Sequence, residues 1–323
     1  MTLNLAALAG LTPPPDRSEL FTSLLPSILS SISSVARVLS SAHTVSLAGG
    51  TNNFGDDQLN VDVAAEAAIR KHLASVSCLA TVSSEEDPVE RPGAGFQAGS
   101  KEEYTVAFDP LDGSSIIAPN WTVGAIFGIW DGPTAVGVAA TQQVAAVLGV
   151  FGPRTTAVVA VRVPGMAAVC FEVGLDMGDD SQVQVLRADV KLASGPVKTR
   201  YFAPANLRCA RESAAYAQLI QHYITEGYTL RYAGGLVPDV VHILVKGHGV
   251  YVNPVTPGTK AKLRALYELF PMALIMECVG GKAVDPATGE RILAGRAEGC
   301  GDKGAFLFGT AEEVDFAVGK LLQ

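Results

Sequence analysis

The segment Asp109-Pro110-Leu111-Asp112-Gly113-Ser114-Ser115 sets two carboxylates around a proline and opens into a glycine and two serines. Those residue types in that order suit a loop that binds a cation and a phosphate together. Pro110 has no amide hydrogen, so an apolar strand over 104–108 is expected to release its chain there, leaving both aspartates at a carboxyl end that faces a crevice. Gly113 lets the backbone approach a ligand closely, and the amides of Ser114 and Ser115 can be turned on an anion. A plain turn would need neither two acids nor such a cradle.

Further acids fall mostly at the expected ends of elements: Asp56, Asp57, Asp62, Glu85, Glu86 and Glu268. Converging carboxylates are costly without counter-ions. Divalent Mg or Mn, held by oxygens at about 2.1 Å, would neutralise them, and two ions about 3.5–4 Å apart would clamp both oxygens of an in-line phosphoryl transfer. No histidine occurs in these segments, which favours Mg-type over Zn-type chemistry. Each acid also has a plainer reading: Glu85-Glu86 as a solvated loop, Asp56-Asp57 as a helix cap, Asp62 as a surface position one turn before Glu66.

Arg264 and Glu268 stand four residues apart on an expected helix over 260–270, where they share a face with Lys260 while Lys262 projects elsewhere. Alone, such a pair is an ordinary surface ion pair. Arg231-Tyr232 before Ala233-Gly234-Gly235 places a cation and a phenol beside a flexible turn, as a second phosphate pocket would require. The histidines His43, His72, His222, His242 and His248 show no ligand spacing.

These residues have to be positioned by the rest of a 323-residue chain, which exceeds the usual single-domain size and suggests two lobes, 1–195 and 196–323, divided near Ser194-Gly195-Pro196. A net charge of -8 without blocks of like charge argues against a nucleic-acid partner. Polar residues break the long apolar runs, as Arg162, Pro164, Gly165 and Glu172 do between Thr155 and Leu175, so no bilayer span and no membrane partner are expected. Five cysteines without a CxxC pair suit a reducing compartment, and without a secretory signal the cytoplasm is expected.

Leu20, Leu24, Ile28, Ile32, Val35 and Leu39 describe an amphipathic helix that Pro26 should kink or restart. A loop at 49–53, a helix over 57–73 and a strand over 78–82 follow, then an exposed loop over 87–101. Strands are expected at 104–108, 123–130, 135–139, 157–163 and 167–172, forming a mostly antiparallel sheet with flanking helices. The second half reads as a helix over 213–225, strands at 228–231, 240–246 and 249–252, and a helix from Lys260 that Pro271 interrupts and Gly280-Gly281 stops. The fold class is α/β, with helices sandwiched between sheets in alternating layers.

The segments SSEED (83–87), FDPLDGSS (108–115), the FGIW strand, RYAGGLVPDV (231–240) and KLRALYELFPMALIMECVGG (262–281) resemble the sugar bisphosphatases related to fructose-1,6-bisphosphatase, from about residue 20 to the end. FGDDQLNVD, FAPANLR, YTLRYAGG and TKAKLR are more similar to the sedoheptulose-1,7-bisphosphatase branch. The resemblance implies a two-lobed sandwich that forms homodimers or homotetramers. It further implies two or three Mg ions per subunit, replaceable by Mn, on Glu85, Glu86, Asp109, Asp112, Glu268 and the Leu111 carbonyl. Asp56 and Asp62 would orient or deprotonate the attacking water, and Arg264 would lie beside the metals. Gly113, Ser114 and Ser115 would cradle the departing phosphate. Asn206, Arg231, Tyr232 and Lys262 would hold the distal one, often with an arginine lent by a neighbouring subunit.

Three departures carry weight. Asn253 stands where fructose bisphosphatases have tyrosine, which would enlarge the sugar pocket for a seven-carbon substrate. Glu103 stands where AMP-controlled members have a basic residue and would repel a nucleotide phosphate. Residues 46–55 hold no cysteine, so the disulfide control of the plastid enzymes at that loop is excluded.

The expected reaction is Mg-dependent hydrolysis of sedoheptulose 1,7-bisphosphate at its 1-phosphate, with fructose 1,6-bisphosphate or both sugars as the near alternative. An inositol-monophosphatase-like hydrolase and a catalytically silent sugar-phosphate sensor are the more distant ones. Arg231→Ala separates a sugar bisphosphatase from an inositol-monophosphatase-like hydrolase: steady-state kinetics should show a large rise in KM for a bisphosphate, whereas a monophosphatase would be unaffected.

Overall fold

The computed structural model describes residues 4–51, 55, 57–178 and 182–323. Its larger sheet has eight strands in the spatial order Val183–Arg187, Val169–Leu175, Thr155–Val161, Gln143–Phe151, Val123–Asp131, Tyr104–Asp112, Leu79–Ser84, Arg91–Pro92. All neighbours are antiparallel except Leu79–Ser84 and Tyr104–Asp112, which run parallel. The smaller sheet orders Thr229–Leu230, Tyr201–Pro204, Val250–Asn253, Phe306–Gly309 and Lys282–Val284, and its first three strands are mutually parallel.

The period of two in the strands decides how the layers stack. Along Val123–Asp131, Ala125, Phe127 and Ile129 join the core under helices Leu25–Ser41 and Asn60–Leu73, while Ile126 and Trp130 join the core shared with Leu236–Lys246 and Phe270–Cys278. Those last two helices lie between the sheets. Ala214–Thr225 and Ala311–Leu321 cover the far side of the smaller sheet through Tyr216, Leu219, Tyr223, Val314 and Ala317. The molecule is therefore an α/β sandwich of alternating helix and sheet layers, as the sequence implied. A Cβ on Gly124 would meet the Val237 side chain at 2.4 Å, so glycine is what lets the start of a middle-layer helix lie directly on the large sheet.

Several local expectations give way to tertiary contacts. The strand from Tyr104 runs through Pro110 to Asp112. Its parallel partner ends at Ser84 opposite Phe108, so the proline lies where the ladder on that side has stopped. Residues 135–139 form a turn, and the strand lies at Gln143–Phe151 instead. Leu236–Lys246 is a helix: Val237, Val240, Ile243 and Leu244 are buried at helical spacing, and the β-branched run suggested a strand only by propensity. Asp57–Leu59 pairs with Leu47–Thr51, so the expected loop at 49–53 begins as strand and the next helix starts at Asn60.

No helix runs over 260–270. Leu263–Arg264 is extended, Ala265–Leu269 is a wide π-type turn, and Pro271 sits in the first turn of Phe270–Cys278, where it starts the helix it was expected to interrupt. Arg264 and Glu268 are consequently not an exposed helical pair.

Pro15–Ser41 is helical throughout and, by length and composition, long and apolar enough to cross a bilayer. Its apolar side, including Leu20, Leu24, Ile28 and Ile32, is buried against the large sheet. Glu102 ties the start of this stretch to the sheet: its carboxylate accepts from the amides of Glu19 at 2.7 Å and Leu20 at 3.0 Å, and from the Tyr104 hydroxyl at 2.7 Å. Glu102→Ala would strand those buried donors and should cost about 2–3 kcal/mol in denaturant unfolding. The folded fraction should keep its activity, since Glu102 touches none of the clustered acids described below.

Candidate metal and phosphoester site

Parallel pairing brings the carboxyl ends of Leu79–Ser84 and Tyr104–Asp112 to one edge, with Glu85 N donating to Phe108 O at 3.0 Å as the last rung. Glu85 thereby emerges beside Asp109 and Asp112. Glu268 joins them from the wide turn Ala265–Leu269, where the shifted winding turns its carboxylate inward. Asp109, Asp112 and Glu268 are buried, and each offers an oxygen within 4.8 Å of the others. The charge of Glu85 acts on all three.

The backbone meets part of the cost. Asp109 accepts from Leu111 N at 2.9 Å, Glu268 from Arg264 N at 2.6 Å, and Asp112 from Leu236 N and Val237 N at 3.1 and 2.6 Å. Asp112 thus caps the positive end of Leu236–Lys246. These amides compensate the charge only partly. Burial and neighbouring acids hold Asp109 and Glu268 well above the usual carboxylate range, and burial pushes Asp112 up to about 6. Arg264, 1% exposed, donates from Nε to Glu85 Oε1 at 2.8 Å. It therefore lies among the acids, and Glu85 accepts from its side chain where helical spacing had suggested Glu268.

Asp62 and Glu86 lie at the margin of this group. Asp62 Oδ2 accepts from Leu59 N at 2.9 Å, while Oδ1 is buried with no hydrogen-bond partner, and burial pushes the carboxyl up to about 6. Burial also raises Glu86 to about 7, opposed by a hydrogen bond from the Gln58 amide. Asp56 lies outside the described residues. The site offers only carboxylate oxygens among the described residues of the cluster, and their burial and crowding leave them protonated or in need of positive charge. Both properties fit a hard divalent cation.

Gly113 adopts φ 93°, and Ser114 and Ser115 form the exposed first turn of the short helix Ser114–Ile117 beside Asp112. In the smaller sheet, Arg231 and Tyr232 follow Thr229–Leu230, and Asn206 follows Tyr201–Pro204. Lys262, exposed, precedes Leu263–Arg264. Asn206 uses its side-chain nitrogen within the protein, donating to Pro254 O at 2.8 Å. Arg231 Nη1 donates to its neighbour's carbonyl, Leu230 O, at 2.7 Å.

Two residues escaped the sequence reading. Asp239, buried, accepts from Ala233 N at 2.6 Å and Gly234 N at 3.3 Å, and so shapes the turn that carries Arg231 and Tyr232; burial pushes it up to about 7. An acid inside the apolar run Leu236-Val237-Pro238-Asp239-Val240-Val241 was the available signal. Gln58, the partner of Glu86, had none. Charge rather than volume marks the site: a cavity of about 960 Å³ opens between Val61, Asn120, Trp121, Phe151 and Leu186, and no member of the acidic trio lines it.

Comparison with known proteins agrees with this geometry. Residues 12–183 match the fructose-1-6-bisphosphatase N-terminal domain, and residues 196–321 match its C-terminal domain. The chain is 38% identical over 275 residues to the chloroplastic sedoheptulose-1,7-bisphosphatase of Spinacia oleracea, covering 82% of this chain and 66% of that one, so it spans just under two thirds of that relative. It is 33% identical to the class 1 fructose-1,6-bisphosphatase of Syntrophotalea carbinolica, covering 84% of this chain and 80% of that one. A crystal structure of a Toxoplasma gondii protein assigned as a sedoheptulose-1,7 bisphosphatase superposes with a TM-score of 0.84 at 33% identity, covering 96% and 98% of the two chains. With both domains matched and the buried acids converging at one strand edge, the chain belongs to the fructose-1-6-bisphosphatase family.

Proposed function

We infer that the protein hydrolyses the 1-phosphate of a sugar bisphosphate, most specifically sedoheptulose 1,7-bisphosphate to sedoheptulose 7-phosphate, with Mg²⁺ as its cofactor. The observation that carries this reading is the trio Asp109, Asp112 and Glu268, three buried carboxylates within 4.8 Å of one another at the end of a strand. Similarity to the spinach sedoheptulose enzyme favours the seven-carbon sugar. The 33% identity to a class 1 fructose-1,6-bisphosphatase keeps fructose 1,6-bisphosphate as the second substrate to test.

Glu85, Glu86, Asp109, Asp112, Glu268 and the Leu111 carbonyl would hold two or three Mg²⁺ ions per subunit, with Mn²⁺ able to replace them. When bound, such ions supply fixed positive charge to the phosphoryl oxygens and acidify water. The remaining work falls to the chain. Asp62, with one oxygen unsatisfied and its carboxyl pushed up to about 6, is suited to take the proton of the attacking water near neutral pH; Asp56 is assigned to the same role by resemblance. Arg264 orients Glu85 and adds charge beside the reacting phosphate. Gly113 admits the ligand, and the amides of Ser114 and Ser115 donate to the departing phosphate.

The distal phosphate contributes binding energy remote from the reaction. Arg231, Tyr232 and Lys262 read it, which positions the reacting end and separates bisphosphates from monophosphates. In this reading residues 1–195 form the metal-holding lobe and 196–323 the lobe that grips the distal end, in a homodimer or homotetramer. The five unpaired thiols suit the cytoplasm.

A Mg²⁺-supported phosphate-release assay over sugar mono- and bisphosphates tests the reading directly. Sedoheptulose 1,7-bisphosphate should be hydrolysed with the highest kcat/KM, and Asp109→Asn should lower kcat at least about a hundredfold. Binding of every sugar bisphosphate without release of phosphate would leave a silent sensor instead.

The raised carboxyls give a second test. Asp62, Asp112 and Glu86 sit at about 6, 6 and 7 in the folded protein, above their unfolded values of roughly 4. The folded state therefore binds more protons, and the stability these groups contribute falls as pH rises from about 4 to 7. Mg²⁺ should restore it where they are ionised. The increase in Tm on adding Mg²⁺ should be larger at pH 7.5 than at pH 5.5; an increment independent of pH would contradict the ligand assignment.

A further inference from the structure

Asp62, Glu66 and Arg70 recur at every fourth residue along the helix Asn60–Leu73 and so share one face. Asp62 borders the acidic group, and the two residues beyond it reach the strand that delivers Glu85 and Glu86. Ser84, the last residue of Leu79–Ser84 and fully buried, donates from Oγ to Glu66 Oε1 at 2.8 Å. Glu66 Oε1 also accepts from Arg70 Nε, and the Arg70 guanidinium stands 5.8 Å from the centre of the Phe108 ring. Phe108 precedes Asp109, and its carbonyl accepts the Glu85 amide.

The turn that carries the two glutamates closes on the same hydroxyl. Ser84 N donates to Asp87 O at 3.2 Å, and Asp87 N donates back to Ser84 Oγ at 3.0 Å. Arg70 Nη2 lies 3.5 Å from both Ser84 Oγ and Asp87 Oδ2. A serine hydroxyl has one hydrogen to give, and here it goes to Glu66. Glu66 therefore fixes the rotor whose lone pair holds the Asp87 amide. Glu85 and Glu86 project from between these two held residues, Glu85 towards Arg264 and Glu86 towards Gln58.

A Glu–Arg pair four residues apart on a solvated helix contributes little. This one is mostly covered, with side chains 14% and 28% exposed, and its third member is a buried strand end. Burial raises the Glu66 carboxyl, and the bonds from Arg70 and Ser84 oppose that shift.

We propose that Glu66 and Arg70 are positioning residues for the metal site: through Ser84 they set the turn 84–87, and with it the direction in which Glu85 and Glu86 present their carboxylates. The inference rests on the ligand assignment proposed above.

Binding of Mn²⁺ to the full-length, substrate-free protein, followed by the paramagnetic resonance signal of the free ion, tests this without turnover. Ser84→Ala removes a hydroxyl and no charge, while Glu66→Ala removes the acceptor at a partly exposed helical position that suits alanine. Each should weaken binding about tenfold, as loss of a group that orients a metal ligand does. The double variant should be no weaker than either single one, because both break the same bond. Glu66→Gln keeps the Oε1 acceptor and should bind as the wild type does. The Mg²⁺ concentration for half-maximal phosphate release should rise in the same variants and in the same order.

Wild-type Mn²⁺ binding in Ser84→Ala and Glu66→Ala overturns the inference. So does a Glu66→Gln variant as weak as Glu66→Ala, since Glu66 would then act by charge and not by position. A wild-type protein that binds Mn²⁺ but releases phosphate from no sugar bisphosphate would defeat the reaction proposed above, while the binding series still decides this inference. A wild-type protein that binds no Mn²⁺ would defeat both.

Discussion

Crowding acids into one buried place is the constraint around which the rest of the chain is arranged. Asp109, Asp112 and Glu268 cannot all ionise so close together in a medium of low polarity unless donors or cations face them. The chain supplies the donors from separate segments: Leu111 N to Asp109, Leu236 N and Val237 N to Asp112, Arg264 N to Glu268, and the Arg264 side chain to Glu85. Each of these bonds also fixes the position of an element. The parallel strand pair, the wide turn before Phe270–Cys278 and the start of Leu236–Lys246 meet at the site because the acids draw their backbone amides there.

Asp112 links the acidic cluster to the turn that carries Arg231 and Tyr232. It caps the helix Leu236–Lys246, and the same helix presents Asp239, which accepts from Ala233 N and Gly234 N in the turn that carries Arg231 and Tyr232. One helix turn therefore ties the position of the acidic strand end to that of the turn carrying Arg231 and Tyr232, with Val237 seated directly on Gly124. The layered fold buries the connecting helix between two sheets.

How much of this was legible in the sequence depends on whether an element's character is local. The Asp109–Ser115 loop could be read because proline, glycine and paired acids constrain the chain wherever they occur. The first long helix could be read because Leu20, Leu24, Ile28 and Ile32 keep helical spacing. Residues 240–246 read as strand because Val and Ile favour strands when nothing else is known, whereas the amide-accepting carboxylate that starts the helix Leu236–Lys246, Asp112, lies more than a hundred residues earlier. Pro110 was read as a strand terminator because its free edge, made by the end of Leu79–Ser84, is a property of the sheet. Asn206 follows Tyr201–Pro204, and its side-chain nitrogen donates to Pro254 O, which only folding brings near.

The sequence by itself determined the chemical inventory: oxygen donors without histidine, a phosphate-type loop, cations near a glycine turn, and periodicities sufficient for a layered α/β chain. Those are properties of residue type and short spacing, which act within a few residues. The tertiary structure decided which acids share a site, that Arg264 serves Glu85 while Glu268 accepts its backbone amide, and which polar atoms remain available to a ligand. These matters depend on segments such as 79–85, 104–112, 236–239 and 263–268 arriving at one point. Burial, and with it the cost of each unpaired charge, exists only once they have arrived.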